Sequence, residues 1–404
     1  MRAKSLLCAA RRGDIGRTIR AEGRLFERKT DYSSGRQTIR TEDGTTRQTA
    51  TMPMPIDLVI GFLGGLALGF AGLRSNFCVM GAISDIVLMR DWRRFRAWLL
   101  AIATALAGTE ALFAAGAVEL DAAAYSAPEF GWLAALVGGL CFGFGMTLAG
   151  GCGLRALVRL GAGSVKSLVV ILAIAAFAYL ATDGAGAPVR DWLTAAANPM
   201  AAMAMPDALG SQDVSAVLAE ATGFSRGALR ATLALGGSGI LLILCFKDAK
   251  FRASRRDIAG GAILGLIVVL GWLASGSQMG EIEGHPDSLN FVSPLGDFLA
   301  LALGKAPIAG FAHGAVPGVI LGAFAAVAWP WRLRVELSAG GEDFVHHALG
   351  GALMGLGGAL ALGCTIGQGV TGVSTLALGS LVVWSGIVAG AILALRYLEA
   401  RANA

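Results

Sequence analysis

The sequence predicts an all-α polytopic membrane protein with about nine transmembrane helices, short re-entrant half-helices and an inverted-repeat, pseudo-two-fold architecture. Three observations favour this fold class. Of the 404 residues, 55% are hydrophobic and only 15% are charged, whereas soluble domains average about 25% charged residues. Apolar runs long enough to cross a bilayer recur along the chain. A glycine-rich helical segment also occurs in four copies.

The excess positive charge lies in the N-terminal tail. Residues 1–50 hold 12 Lys and Arg against 6 Asp and Glu, so they contribute +6 to the net charge of +5, and the rest of the chain sums to −1. The apolar part therefore carries no basic excess, and we expect no nucleic-acid partner. The tail, residues 1–51, lacks the apolar stretch of a signal peptide. We expect it to be disordered, or to precede a true start at Met52 or Met54.

Nine apolar runs have roughly the 17–25 residues that a transmembrane helix needs. They cover residues 56–73, 97–117, 131–150, 164–182, 227–246, 257–275, 310–329, 343–363 and 374–395. Two shorter runs, 78–89 and 294–304, cannot span the hydrocarbon core and are interpreted as half-helices.

The loop charges predict the orientation, because cytoplasmic loops carry the excess of Lys and Arg. Four basic clusters fall on one side if every span is crossed in turn, which places the N-terminus outside and the C-terminus inside. The clusters lie at residues 90–96, 155–166, 247–256 and 332–334. The stretch 183–226 contains three prolines and is interpreted as an outer linker. It would separate a first membrane half, 52–182, from a second, inverted half, 227–404.

Three copies of the glycine-rich repeat end in a cysteine at the same register. The second residue of a Gly-Gly pair precedes the cysteine by 13 residues, from Gly65 to Cys78, from Gly139 to Cys152 and from Gly351 to Cys364. The fourth copy begins at Gly260 and has Ala274 at that position. Two copies run inward and two outward. This arrangement is typical of inverted-repeat transporters, whose site lies near the midplane where helices are interrupted.

The three cysteines are the central candidate site residues. Each adjoins a glycine-rich turn, SNFCVMG, GGCGLR or GCTIGQG, and irregular backbone at membrane depth must be buried by protein or line a cavity. The alternative is that a small thiol merely fills a helix contact, which is our interpretation of the mid-span Cys141 and Cys245. The flanking polar residues complete the predicted binding set. They are Asn76, Arg155, Thr365 and Gln368.

The cysteine turns are predicted to bind an anion. A glycine turn followed by a helix start directs backbone N–H groups and a positive dipole end into a cavity. Arg74 and Arg155 add positive charge near Cys78 and Cys152, although the general cytoplasmic charge bias explains them equally well. A thiol offers a weak S–H donor and a polarizable sulfur, which suits a soft sulfur-bearing anion better than sulfate or chloride.

Glu110 lies deep in an apolar span, where an ionisable residue is costly, and is a candidate for a proton-linked role. The sequence has no nucleotide-binding loop, no metal-ligand spacing and no nucleophile paired with a base. It therefore predicts a protein that is not an enzyme and that needs neither a cofactor nor a metal.

The cysteine motifs resemble those of the YeeE/YedE family of sulfur-transport membrane proteins. The matching stretches are RSNFCVMGAISD (74–85), GGCGLRALVRLGAGSVKSLV (150–169) and GCTIGQGVTGVSTLALGSL (363–381). The resemblance extends over about residues 56–395. It implies that a permease imports thiosulfate through the cell inner (cytoplasmic) membrane.

On this resemblance Cys78, Cys152 and Cys364 match the family's functional cysteines, which would pass the ion inward by transient S–H···S contacts. The expected partners are a small inorganic sulfur anion, the lipid bilayer and a cytoplasmic sulfur-carrier protein. The extended N-terminus and the 183–226 linker have no counterpart in the family pattern.

Three other readings stay open. The chain could transport another sulfur or selenium species, because soft-anion chemistry does not separate these. It could be a transporter-like membrane sensor of sulfur compounds, with its output in the tail or linker. A membrane thiol oxidoreductase is disfavoured, because no vicinal cysteine pair is present to cycle between dithiol and disulfide.

Overall fold

The protein is described here by a computed structural model covering residues 56–126, 131–196, 212–276, 286–305, 310–328, 336 and 340–403. The predicted polar tail, residues 1–51, lies outside these ranges, as do residues 197–211 of the predicted linker. Within the described ranges the only strand-like pairings are two isolated bridges. The described part of the chain is therefore all-α.

Fifteen α-helices are numbered here in chain order over the described residues. They are α1 (Ile56–Ser75), α2 (Val79–Ser84), α3 (Arg93–Ala114), α4 (Trp132–Leu148), α5 (Gly153–Gly161), α6 (Val165–Thr182), α7 (Ala187–Ala196), α8 (Val214–Thr222), α9 (Arg226–Phe246), α10 (Ala249–Ala253), α11 (Arg255–Gly276), α12 (Ser293–Ala302), α13 (Phe311–Ala328), α14 (Gly341–Leu360) and α15 (Leu378–Ala402). There are also two π-helical turns. Asp85–Met89 continues α2, and Gly367–Gly372 follows the third cysteine, Cys364.

Eight helical segments in the described ranges are long and apolar enough to cross a membrane. They contain α1, α3, α4, α6, α9, α11, α13 and α15. Helix α9 also exposes large apolar side chains, such as Leu235 and Ile243, which is typical of a surface that faces lipid. The prediction of a polytopic membrane protein is confirmed.

Helix α14 corresponds to the remaining predicted span, 343–363. Its first two turns carry Glu342, Asp343, His346 and His347, so it is less apolar than the other eight. It nevertheless has 20 residues and packs between α4 and α6 along its second half. Nine helices of the described part thus have the length and the packing of spans, although eight meet the apolar composition.

Helices that share a direction pack through glycines. A Cβ atom added at Gly61 of α1 would lie 2.0 Å from the Phe311 carbonyl oxygen of α13, and one added at Gly143 of α4 would lie 2.1 Å from the Ile387 carbonyl oxygen of α15. Contacts in both pairs advance together along the two chains, so the helices are parallel. Backbones approach this closely only where no side chain intervenes.

The four glycine-rich copies form two antiparallel pairs. In the first pair α1 packs against α11, with Gly64 on Ile267 and Gly260 on Ser75. In the second pair α4 packs against α14. There Gly138 lies on Gly357 and Gly145 on Gly350. Each of the first two copies therefore packs against one of the last two, which runs in the opposite direction, as an inverted repeat requires.

Both predicted half-helices are present. The run 78–89 forms α2 and its π-helical turn, and the run 294–304 forms α12. Two further short helical segments follow the second and third cysteines, namely α5 and Gly367–Gly372. The sequence predicted a glycine turn and a helix start there, but not the extent of these short segments.

The predicted linker 183–226 contains helices α7 and α8 in its described part. Its chain is tied to the start of α15, because the Val214 N–H donates to the Leu376 carbonyl at 2.9 Å and the Leu378 N–H donates to the Gln212 carbonyl at 3.2 Å. The division into a first half, a linker and a second half stays a prediction.

The parallel pair α4 and α15 gives a stability test. We expect Gly143→Ala to lower the stability by about 1–3 kcal/mol, because the added methyl group overpacks against the Ile387 carbonyl. Gly236→Ala is the matched control, since an added Cβ there meets nothing within 4 Å and alanine favours the helix. Thermal unfolding in detergent measures both. Equal midpoints for the two variants would contradict this account of the packing.

Candidate functional site

The three cysteine turns have the same backbone structure. Two residues before each cysteine the chain adopts a left-handed conformation, with φ of 54° at Asn76, 68° at Gly150 and 54° at Leu362. The next N–H closes a hydrogen bond five residues back along the preceding helix in every case. These bonds are Phe77 to Gly72 (3.2 Å), Gly151 to Met146 (2.8 Å) and Gly363 to Gly358 (2.8 Å). This is a Schellman helix end, which satisfies the last carbonyls internally.

Each cysteine then begins the next short helical segment. Cys78 and Cys152 are the N-cap residues of α2 and α5 and have extended backbones. The Cys364 sulfur accepts a hydrogen bond from the Gly367 N–H at 3.4 Å. The Cys78 and Cys152 thiols face the N–H groups at the same relative positions, Gly81 and Arg155, but do not close a capping bond. The three sulfurs therefore mark the positive ends of three short helical segments.

The turns meet inside the protein. The Cys78 and Cys152 thiols interact with each other, and the Thr365 hydroxyl, next to Cys364 in the chain, lies beside the Cys152 thiol. Cys152 is 2% exposed and Cys364 is 1% exposed, whereas Cys78 is half-buried. We call Cys78, Cys152 and Cys364, which lie 74 and 212 positions apart in sequence, the thiol cluster.

The fourth copy contributes differently. Ala274 lies inside α11, which continues to Gly276, so the chain does not turn at the position of the missing cysteine. The segment before α12 reaches the cluster instead. The Phe291 backbone contacts the Cys364 thiol, and Asn290 lies against Gly367. Asn290 was not predicted as a site residue, and its place before a predicted half-helix was the one available signal.

A cavity of about 400 Å³ lies beside the third cysteine turn and is lined there by Ala361 and Leu362. We call it the Gln368 cavity, because that side chain lines it within the segment that Cys364 begins. Gln368 is held by two bonds, since its Nε2 donates to the Ala361 carbonyl at 2.5 Å and its Oε1 accepts from the Ser380 hydroxyl at 2.6 Å. Tyr125, Arg190 and Gln212 also line the cavity.

A much smaller space lies at the other end of the cluster. This Cys78 crevice, of about 10 Å³, is lined by Ser75, Phe77, Cys78, Arg94, Ala97, Trp98 and Asp257. Such a volume holds about one water molecule. The space beside Cys78 is therefore far smaller than the Gln368 cavity.

Three polar groups beside the cluster are buried without a hydrogen-bond partner among the described residues. They are Trp98 Nε1, Arg155 Nη1 and Thr365 Oγ1. An unsatisfied buried group costs about 1–3 kcal/mol, so three at one place require an explanation. All three can donate a hydrogen bond, which an anion would accept.

Arg155 carries the positive charge of this group. Its guanidinium acts electrostatically on the Cys78 thiol, and it forms no ion pair with any residue of the described ranges. The neighbouring Arg94 and Arg159 are paired with Asp85 (3.2 Å) and Glu336 (3.5 Å). A charged residue at membrane depth is normally paired, so Arg155 is positioned to balance a ligand's negative charge.

Two predicted site residues have their side chains elsewhere. The Arg74 guanidinium stacks 4.8 Å from the centre of the Phe70 ring and is exposed. The Asn76 side chain is also exposed, while its backbone carbonyl accepts a hydrogen bond from Arg94 at 3.3 Å. Asn76 therefore serves the first turn through its left-handed backbone.

Glu110 forms a buried ion pair. Its carboxylate accepts hydrogen bonds from Arg230 at 2.7 and 3.0 Å, and Asp213 lies 3.4 Å from the same guanidinium. Arg230 also stacks 3.9 Å from the Phe113 ring centre. This pairing accounts for an acidic residue inside α3 without a role in transport. The proton-linked role of Glu110 stays a prediction.

Comparison with known proteins identifies the family. The sequence pattern of the family described as sulphur transport matches residues 74–393, which is most of the chain. The chain belongs to the sulphur transport family. It is thus a sulfur transporter of the membrane and not an enzyme, as the sequence analysis predicted.

Two curated relatives cover nearly the same region. The thiosulfate transporter TsuA of Escherichia coli is 28% identical over 337 residues, which are 81% of this chain and 89% of the relative. The thiosulfate transporter TsuA of Spirochaeta thermophila is 24% identical over 329 residues, which are 80% of this chain and 92% of the relative. The predicted resemblance to a family of sulfur-transport membrane proteins is confirmed.

The third cysteine turn of this family member gives a second stability test. Leu362 has a left-handed backbone, which costs a residue with a Cβ about 1–2 kcal/mol, and its side chain is 59% exposed. We expect Leu362→Gly to raise the stability by about 1 kcal/mol, because glycine adopts this conformation freely. Leu349→Gly, at an exposed position inside α14, is expected to lower it by about 1 kcal/mol. Thermal midpoints in detergent measure both effects. A lower midpoint in both variants would show that the Leu362 backbone is not strained.

Proposed function

We propose that this chain is a permease that imports thiosulfate, or a related soft sulfur anion, along a path lined by Cys78, Cys152 and Cys364. The observation that carries the proposal is the thiol cluster at three positive helix ends, beside three unpaired hydrogen-bond donors. The names of the two curated relatives support thiosulfate as the substrate.

The chemistry of the cluster fits both ends of such an ion. Thiosulfate has oxygen atoms at one end, which accept hydrogen bonds from N–H and O–H groups, and a polarizable terminal sulfur at the other. Arg155 and Thr365 would hold the oxygens. The thiols would give weak S–H···S contacts to the sulfur. Contacts of this strength suit transport, because each must release the ion to the next.

The path would run from the Gln368 cavity past Cys364 and Cys152 to Cys78. Gln368, fixed by Ala361 and Ser380, forms part of the entrance. The Cys78 crevice holds about one water molecule, so it must widen before the ion leaves. Import therefore requires a conformational change near α2, whose π-helical turn ends at Arg90 with φ of 55°.

We place the protein in the cell inner membrane with its N-terminus outside and its C-terminus inside. The basic clusters of the sequence support this orientation, and it directs the Gln368 cavity outward and the Cys78 crevice toward the cytoplasm. Arg74 and Asn76 then belong to the inner mouth, where Arg74 would attract or release the anion. A cytoplasmic sulfur-carrier protein is the partner that this side would serve.

The cysteine path predicts a selective loss of uptake. We expect Cys78→Ala, Cys152→Ala and Cys364→Ala each to reduce the uptake of labelled thiosulfate about tenfold or more, because each removes one contact of the series. Cys141→Ala and Cys245→Ala are matched controls that should transport normally. Cys245 donates only to the Arg96 carbonyl, at 3.2 Å. The assay uses cells without another uptake route and is normalised to protein in the membrane.

The same panel separates the competing readings. Normal uptake by all three variants would show that the cysteines are not the path. Absent uptake by the wild type, with loss of a sulfur-dependent transcriptional response on deletion, would favour a sensor. If selenite, or a sulfur anion other than thiosulfate, is taken up faster than thiosulfate, the proposed substrate changes but the path does not.

Arg155 gives an independent prediction. We expect Arg155→Gln to raise the KM for thiosulfate about tenfold or more, because a charge-assisted hydrogen bond to the anion is lost, without lowering the thermal midpoint. Arg159→Gln, one turn further along α5, removes only a partly exposed pair with Glu336 and should leave the KM unchanged. An equal rise in KM for both variants would show that Arg155 acts only through its general positive charge and does not bind the anion directly.

A further inference from the structure

Trp98 of α3 is held in a stack of three aromatic rings. Its ring centre lies 5.4 Å from that of Phe77, the residue before Cys78, and 5.4 Å from that of Trp384 on α15. The ring also packs on Gly369 with its N–H side, because an added Cβ there would lie 3.2 Å from Trp98 Cζ2, which is two bonds from Nε1. Trp98 thus contacts both the first cysteine turn and the segment that follows Cys364.

The indole N–H of Trp98 is unpaired although the residue is only 2% exposed. Buried tryptophan normally finds a partner for this group. Trp272 illustrates the normal case, since it is fully buried and its N–H donates to the Ser374 hydroxyl at 3.2 Å. The stack with Phe77 and Trp384 restrains the Trp98 ring, so the N–H has a fixed position without a protein acceptor among the described residues.

The neighbourhood of Trp98 indicates which acceptor is missing. The ring lines the Cys78 crevice together with the Cys78 thiol, and the unpaired Arg155 guanidinium acts on the same thiol. A tryptophan with an unpaired N–H and an unpaired guanidinium therefore both lie near the Cys78 thiol. A negatively charged oxygen would satisfy the first two groups, and a terminal sulfur would suit the third.

We propose that Trp98 is a substrate-contacting residue, whose indole N–H donates a hydrogen bond to an oxygen of the sulfur oxyanion while the ion lies at Cys78. This inference rests on the proposed transport function and adds a subsite to it. The subsite reads the oxygen end of the ion, and the thiols read the sulfur end. It therefore favours an anion that has both ends over one that lacks oxygen, such as hydrogen sulfide ion.

The test removes the N–H and keeps the ring. Trp98→Phe retains an aromatic ring between Phe77 and Trp384, and replacement of Trp98 by benzothienylalanine retains the full bicyclic shape with sulfur in place of N–H. Trp272→Phe is the matched control, because it removes a buried N–H that already has a protein partner. For each protein the full chain is assayed for thiosulfate uptake in cells, for thiosulfate binding in detergent and for its thermal midpoint.

We expect both Trp98 variants to raise the KM and the dissociation constant of thiosulfate about tenfold. The benzothienylalanine protein should keep or raise the thermal midpoint, since an unsatisfied donor is removed and the ring shape is kept, whereas Trp98→Phe should lower it through the cavity that it leaves. Trp272→Phe should lower the midpoint and leave the KM unchanged. A wild-type KM in the benzothienylalanine protein would overturn the inference, because the N–H would then make no contact with the ion. If that protein is normal while Cys78→Ala is inactive, the subsite is wrong and the cysteine path stands. If the wild type neither binds nor transports thiosulfate, both proposals fall.

Discussion

Broken backbone inside a membrane needs a protein environment, and the rest of this structure serves that requirement. Each cysteine lies between a long helix that ends and a short segment that begins, so carbonyl and N–H groups of the turn would be exposed if the surrounding helices stood apart. Schellman bonds satisfy the outgoing ends. Glycine contacts such as Gly143 on Ile387 bring the long helices close enough to cover the turns. The abundance of glycine and the position of the thiols are thus two results of one constraint.

Much of the fold could be predicted from the sequence, because apolar length and the copied Gly-Gly to cysteine spacing are local signals. The opposite directions of the copies followed from crossing the predicted spans in turn, but which copies pack against each other did not. Helix α14 was predicted as a span from its apolar second half, although its first turns are polar. The short helix α5 was not predicted as a half-helix, since its nine residues include Arg155 and Arg159 and so form no apolar run. Leu362 could not be predicted to be left-handed, because leucine disfavours that conformation. The shared geometry becomes visible only when the backbones of the three cysteine turns are compared.

The site was predictable only where its residues belong to a repeated motif. Cys78, Cys152 and Cys364 shared a register, so the sequence indicated that they would converge. Trp98 and Asn290 share no register with them, and they reach the cluster through packing between segments that are far apart in sequence. Glu110 shows the opposite limit. An acid in an apolar span suggests function, but its partner Arg230 lies 120 residues away, and a side-chain ion pair at that distance leaves no trace in the local pattern.

The missing turn at Ala274 has a further consequence. Four equal turns would create a two-fold symmetric chamber, and a symmetric chamber cannot distinguish the two ends of a bound particle. Here one antiparallel pair, α4 and α14, precedes two thiols, whereas the other, α1 and α11, precedes one thiol and supplies an asparagine and a phenylalanine backbone instead. The two sides of the thiol cluster therefore differ in chemical composition. A guest with chemically different ends has one preferred alignment there, and that alignment has a fixed relation to the two faces of the membrane.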